Sequence, residues 1–451
     1  MQRKPRRFAI VLVVAAIVAV WIAMCSCGSD QAPAAPAAPT EPTPTPTPSE
    51  PPPAARTEAV ARGLLVATSQ FEVENGQVTA RPGPARLEIL TPRAAGEEGD
   101  WASEVIEDPG SNVFHKAMLW QPRTGEPGIV TLGGMAAAVK LWRRGDDGWQ
   151  SETLWTEEFG GQFNRMRDAE IADVHGDGPA IVVATHDQGV VATVRPGESG
   201  WQVERIDREP NTFVHEIEIG DLNGDGQLEI YSTPSEPNDL GGGEQHGEVV
   251  RYVPRAQQGR TVVADLGNRH AKEIWVGDVD GDGRDELYVA VEALTRGTGA
   301  AMEIAEPVEI RRYDADTAPG AGVVIARIPG ERLTRFLTVG DVDGDGRREM
   351  VIATFRSGLW LARPGRDPRG EWSLESVDRE SSGFEHAALL TDLDGDGKDE
   401  LYVGADEQGE LRRYTWVNGR PRREVIARRE HPRAIMTWNI MPVPLSVVAP
   451  R

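Results

Sequence analysis

Cysteine is almost missing from this chain: Cys25 and Cys27 are the only two in 451 residues. Both lie at the amino end. Everything downstream therefore lacks a disulfide and must be held by packing and, where ligands allow, by metal. Long hydrophobic runs are scarce as well, and the uncharged stretch Phe8–Met24 is shorter than the ~20 residues of a membrane-spanning helix. Positive charge is outnumbered. Lys and Arg total 48 against 71 Asp and Glu, a formal net charge of −23, which argues against non-specific nucleic-acid binding. No nucleophile elbow, HExxH pair or phosphate loop occurs. No long segment has the amphipathic spacing of a helix. What is left is a series of short apolar runs punctuated by 49 glycines and 33 prolines, the pattern of an all-β chain.

The amino end is organised separately. A basic head, Met1–Arg7, precedes the apolar stretch and reads as a secretory signal, with an uncleaved anchor as the alternative. Met24-Cys25-Ser26-Cys27-Gly28 resembles a bacterial lipoprotein cleavage site, with the small Ser26 in place, although Met24 and Cys25 depart from the usual pattern. The expected product is lipidated at Cys27 and anchored in the cell envelope. Residues 28–58 are mostly Pro, Ala, Thr and Glu, too polar and broken to bury a core, and form a disordered tether. The domain reading is thus signal 1–27, tether 28–58 and globular body 59–451.

The body is organised around one acidic loop. Residues 277–288 read GDVDGDGRDELY, and close copies begin at Gly220, Gly340 and Thr391. The copies lie roughly 50–65 residues apart, a repeat architecture. Within each loop, oxygens at the first, third, fifth and ninth positions, with a backbone carbonyl at the seventh, suit a hard cation such as Ca²⁺. An EF-hand is excluded because its twelfth-position Glu is replaced by Ser232, Val289, Ile352 and Val403. The acid falls at the ninth position and strand-like residues follow. On these motifs the chain resembles the FG-GAP/VCBS repeat family, which includes the integrin α-subunit propellers. The resemblance covers about residues 60–443.

That resemblance implies a Ca²⁺ loop between the first and second strands of each propeller blade. The expected structural ligands are Asp278, Asp280, Asp282 and Glu286 with the Arg284 carbonyl, and Asp341, Asp343, Asp345 and Glu349 with the Arg347 carbonyl. The other two sets are Asp392, Asp394, Asp396 and Glu400 with Lys398, and Asp221, Asn223, Asp225 and Glu229 with Gln227. A fifth copy at Asp173 has His175 and Ile181 where ligands should stand, and a sixth, Trp120–Thr131, has lost its carboxylates. A last first-strand pattern, Arg433–Ile440, has nothing resembling the rest of a blade after it, whereas residues 60–108 resemble second, third and fourth strands without a first. The fold expected is an all-β, seven-bladed β-propeller whose closing blade is split between the two ends of the body. Trp101, Trp149, Trp201 and Trp372 open fourth strands and are expected to pack between blades.

Six residues before each loop stands a potentially basic residue: His115, Arg167, His215, Lys272, Arg335, His386 and Arg433. In the family's topology this column rings the upper mouth of the central channel. It is either an anion-binding site or a set of ion pairs between blades, since acids follow at Asp168, Glu216 and Glu273. Long second-to-third-strand connections in blades three (234–247), four (292–307) and seven (70–84) emerge on the same face. The function these features imply is capture of an anionic small molecule, a saccharide or a protein by an exported, tethered propeller, with no nucleic-acid partner. The alternatives are a propeller enzyme of lyase or dehydratase type using His115, His215 or His386, and an adhesion module.

Overall fold

The computed structural model describes residues 62–93, 100–161, 163–237, 243–297 and 301–449. The expected signal with Cys27, the tether, and Asn238 and Asp239 of the blade-three connection lie outside the described residues.

Seven antiparallel sheets follow one another, six of four strands and one of five, with a two-stranded ribbon inserted in the fourth. The fold is the all-β seven-bladed propeller expected from the repeats. Blades one to six span 114–156, 166–208, 213–265, 271–328, 334–378 and 388–428. The seventh sheet joins two distant segments: Ile435–Pro444 pairs with Arg62–Glu74, placing Leu65 opposite Met441 and Val66 opposite Ile440. Ala85–Pro92 and Trp101–Asp108 continue that sheet outward. Each inner strand lies against the next, from Phe114–Trp120 round to Ile435–Pro444 and back.

Burial follows position in the blade. The second strands Ala180–Thr185, Glu286–Val291, Glu349–Thr354 and Glu400–Ala405 are buried along their whole length. Their sequences are nearly continuous apolar runs because a neighbouring blade covers each face. The outermost strand Arg420–Arg428 is largely exposed and carries four arginines. Apolar side chains gather between blades. Met118 and Val139 of blade one pack with Ile181 and Val183 of blade two. Leu65 and Leu87 of blade seven meet Ala117 and Ile129 of blade one. Leu64 and Ile440 of blade seven meet Tyr402 and Leu411 of blade six. Each such Leu or Ile contributes ~1.5–3 kcal/mol of burial, and the last two clusters spread that energy across the point where the ring closes.

The fourth-strand tryptophans pack backward onto the preceding blade. Trp201 meets Trp120 edge-on at 5.2 Å, Trp101 meets Tyr402 at 6.2 Å, and Trp372 meets Tyr288 at 5.7 Å. The Trp149 indole donates to Glu104 Oε1 at 3.1 Å. Of the long connections, that of blade seven is a hairpin, with Val73 opposite Val78. Its Asn75-Gly76 turn has both φ values positive, 51° and 75°, as a tight two-residue hairpin requires.

Candidate functional site at the axial mouth

Inner strands carry a β-bulge at the same place. Phe114 pairs with Gly133 and Ala117 with Thr131, so His115 and Lys116 share one partner position. The same break occurs at Arg167–Asp168, His215–Glu216, Lys272–Glu273 and Arg335–Phe336. A bulge adds a residue and re-aims the side chains beside it. Simple alternation along the strand, which would place the basic column with Ile217 and Ile274, therefore fails here. His386 occupies the matching place just before Ala388–Thr391, with φ of 51°. In blade seven the bulged residue is Trp438, between Thr437 opposite Thr68 and Asn439 opposite Ala67. Arg433 instead precedes the strand, is exposed, and donates from Nε to Glu407 at 2.8 Å. The sequence alignment misplaced this strand because no acidic loop follows it to fix the register.

Three of the basic residues converge on one carboxylate. Arg335 Nη2 lies 2.7 Å from Glu385 Oε1, Lys272 Nζ 2.9 Å from Oε2, and Arg167 Nη2 3.5 Å from Oε2. These cations come from blades five, four and two, and Glu385 stands at the start of blade six. All four side chains are buried. Burial alone would raise the Glu385 pKa, but Arg335, Lys272 and Arg167 outweigh it and hold the carboxyl well below its ordinary range. The Arg167 guanidinium also sits 5.6 Å over the Trp438 ring and that of Arg335 5.2 Å over Phe384.

The histidines behave differently. His115 donates from Nδ1 to the Met166 carbonyl and packs edge-on against Trp438 at 4.6 Å. Its Nε2 is buried without a protein partner, as are both ring nitrogens of His215. Burial, followed for His115 by Arg165 and Arg167 and for His215 by His186 and Arg167, pushes both pKa values well down, so the rings are neutral. His386 is committed: Nδ1 donates to the Thr354 carbonyl and Nε2 accepts from Ser381 Oγ, each at 2.8 Å. Its pKa is lowered to about 4, chiefly by burial. Sequence reasoning missed His186, which donates from Nδ1 to the Asp187 carboxylate and lies 5.6 Å from His215 and 4.2 Å from Phe213, centre to centre. The His-Asp dipeptide after a second strand was its visible signal. Arg165, 4.2 Å over Phe163, was missed too, and its Nε is buried without a partner.

Acids line the same axis one and three residues further along. Lys116 Nζ reaches Asp168 Oδ1 at 3.0 Å and Glu170 Oε1 at 2.6 Å. Glu216 and Glu218 have strongly raised pKa values, first through burial and then through neighbouring acids including Asp168. The axis is thus layered, with cations and neutral histidines at the mouth and acids, among them Glu216 and Glu218 with raised pKa values, beneath.

The acidic loops lie at the opposite ends of the inner strands. Three bring ligand atoms within 4.8 Å of one another: Asp278, Asp280, Asp282 and Glu286; Asp392, Asp394, Asp396 and Glu400; and Asp341, Asp343 and Glu349, without Asp345. The first aspartate pins each loop. Asp278 accepts from the Gly281 amide at 2.6 Å and the Gly283 amide at 2.9 Å. Gly281 and Gly283, at φ of 77° and 86°, adopt the left-handed turns that direct those amides inward. Asp343 Oδ1 is buried with no protein partner, the place a cation would fill. Burial raises the pKa of Glu286, Glu349 and Glu400 to about 7 each. The residues present fit a divalent ion. In the fourth loop the Asn223 amide donates to Glu229 Oε1 at 2.9 Å. In the fifth, Arg123 pairs with Asp173 at 2.7 Å and His175 meets Thr193 Oγ1 at 3.1 Å.

The architecture is that of a β-propeller, and residues 341–403 match the FG-GAP-like repeat family. Two curated proteins of Bacillus subtilis (strain 168) are similar to part of the chain. Rhamnogalacturonan exolyase YesX is 24% identical over 244 residues, 44% of this chain and 39% of that protein. Rhamnogalacturonan endolyase YesW is 26% identical over 235 residues, 43% of this chain and 37% of that protein. The chain therefore spans less than two thirds of the length of these relatives. Among solved structures, a protein from Lactobacillus plantarum aligns with TM-score 0.48 at 9% identity, covering 85% of this chain and 99% of its own. The Dos1 propeller aligns with TM-score 0.46 at 8% identity, covering 83% and 86%. No helix among the described residues is long and apolar enough to cross a membrane.

Proposed function

We propose that this is an exported, membrane-tethered, Ca²⁺-stabilised propeller that captures an acidic saccharide at the axial mouth. The observation that carries the reading is the set of buried polar atoms without protein partners at that mouth: His115 Nε2, both nitrogens of His215, and the Nε atoms of Arg165 and Arg335. Buried polar groups are normally satisfied, so such a cluster marks where another molecule's oxygens belong. Half-buried Phe163, Phe213, Phe384 and Trp438 surround it, and apolar walls with a few convergent polar groups are the usual lining of a small-molecule site. The similarity to two rhamnogalacturonan lyases supports an acidic saccharide as the ligand class. The signal-like amino end and Cys27 support export and anchoring, and the fitted loops support Ca²⁺.

Calorimetric titration of the tethered body with oligogalacturonides and with neutral oligosaccharides tests the reading. Binding of the acidic series, weakened at least ~10-fold in His215→Ala with an unchanged melt, is the expected result. Absence of binding to either series overturns it. A second reading, a propeller lyase, is favoured by the His186–Asp187 pair, a histidine oriented by a carboxylate beside Arg165 and Arg167. Incubation with rhamnogalacturonan, followed by detection of newly formed unsaturated ends, distinguishes turnover from capture.

A further inference from the structure

Beside each of the four acidic loops stands an arginine from the same blade's third strand. Arg312 Nη2 lies 2.8 Å from Asp280 Oδ2 and 3.3 Å from Glu286 Oε1. Arg363 Nη1 lies 2.8 Å from Asp343 Oδ2 and 2.7 Å from Glu349 Oε1. Arg413 Nη2 lies 2.7 Å from Asp394 Oδ2 and 3.2 Å from Glu400 Oε1. The guanidinium thus bridges the third- and ninth-position carboxylates in all three. In blade three the third position is the uncharged Asn223, and Arg251 holds only the ninth-position Glu229, at 3.0 Å. There the Asn223 amide takes over the other contact with Glu229.

The placement is not a by-product of strand pairing. In blades three, four and six the arginine is paired across the sheet with a tyrosine two residues after the glutamate: Tyr231 with Arg251, Tyr288 with Arg312, Tyr402 with Arg413. Each tyrosine hydroxyl also donates to that glutamate. In blade five the pair is Val351 with Leu361, and Arg363 comes two residues later, yet its guanidinium reaches the same two carboxylates. Two routes through the sequence thus deliver one charge to one place. The fifth loop, whose third and ninth positions are His175 and Ile181, is also met by guanidinium, with Arg123 on Asp173 and Arg195 on Asp177.

We propose that Arg251, Arg312, Arg363 and Arg413 are tethered counter-cations that close the acidic loops without a divalent ion and lower their affinity for one. A guanidinium bridges the two carboxylates that an ion would otherwise have to hold together and offsets part of their charge. The loops then stay folded when metal is scarce, and an incoming ion must share ligands already engaged. The positioning role rests on the loop chemistry set out above but not on calcium being the ion that fills it.

The experiment compares the exported body with Arg363→Gln and with Arg312→Gln/Arg363→Gln/Arg413→Gln, melting each in EDTA and in Ca²⁺ and titrating each with Ca²⁺ alone by calorimetry. Expected are a cooperative melt of the parent in EDTA, a lower melt of both variants in EDTA that Ca²⁺ restores, and at least ~5-fold tighter Ca²⁺ binding by the variants. Arg363→Lys should recover part of the EDTA melt. A lower EDTA melt without Ca²⁺ heat in any protein supports the counter-cation and removes calcium as the ion. Variants that melt in EDTA like the parent, or a parent that unfolds in EDTA, overturn the proposal. Should the triple variant fail to fold, Arg363→Gln alone decides, by the same two readings.

Discussion

Glu385 stays ionised in a buried place because Arg335, Lys272 and Arg167 reach it from three other blades. Glu385→Gln keeps the shape and removes the charge, leaving those cations facing one another, and breaking a buried pair in this way costs about 3–5 kcal/mol. The pH dependence follows from the direction of the shift. A carboxylate with a lowered folded pKa adds stability that is complete above its unfolded value of ~4.3 and fades as pH falls toward the folded value. Denaturant melts of the two proteins should therefore differ most at pH 7, with the gap narrowed but not closed at pH 3. A gap of equal size at both would contradict the clamp. Glu218 has the opposite sign. Its raised pKa means that stability is complete below ~4.3 and is lost as pH rises through the folded value. Glu218→Gln should accordingly raise the melting temperature at pH 8, by about 2–4 °C for each kcal/mol regained, and leave it unchanged at pH 4.

At the scale of the strand, the informative elements are the bulged inner strands and the strand that completes blade seven. Ile435–Pro444 is the inner neighbour of Arg62–Glu74 and contributes Ile440 and Val443 to the clusters shared with blades six and one. Truncation after residue 433 removes that strand and leaves Arg62–Glu74 with an open edge. The truncated chain should melt at least ~10 °C lower, or lose its cooperative transition. A melt equal to the parent's would mean that ring closure contributes nothing. Part of this was legible in the chain. The acidic loops could be read because their chemistry lies within about nine consecutive residues. The third-strand arginines were legible in principle, since aligning the strands after each loop lines up Arg251, Arg312 and Arg413, but Arg363 is displaced by two and breaks the column.

For the whole molecule, the loops and the mouth sit at opposite ends of the inner strands, so metal and ligand should act independently. An ion bound at one of the loops would stabilise by about 2.7 kcal/mol when present at 100 times its dissociation constant. EDTA should lower the melting temperature by at least ~5 °C while leaving saccharide affinity at the mouth unchanged. A melt identical in EDTA and Ca²⁺ would remove the stabilising role of the ion, and a loss of saccharide affinity in EDTA would show that the two ends are coupled.

The repeat period, the acidic loops and the all-β, seven-bladed architecture were determined by the sequence itself, because the loops and the strands around them recur often enough along the chain to be aligned. The mouth was decided by tertiary structure. Arg167, Lys272, Arg335 and Glu385 are separated by up to 218 residues and meet only because the ring brings distant inner strands to one axis. The bulges reset the alternation from which side-chain direction is read. Trp438 rather than Arg433 takes the seventh place because no acidic loop fixes that strand's register, and closure of the ring brings His186 beside His215. Local hydrogen-bonding chemistry can be read along a chain. Which side chains converge on a common axis depends on closure of the ring and on single-residue shifts in register, and neither is a local property.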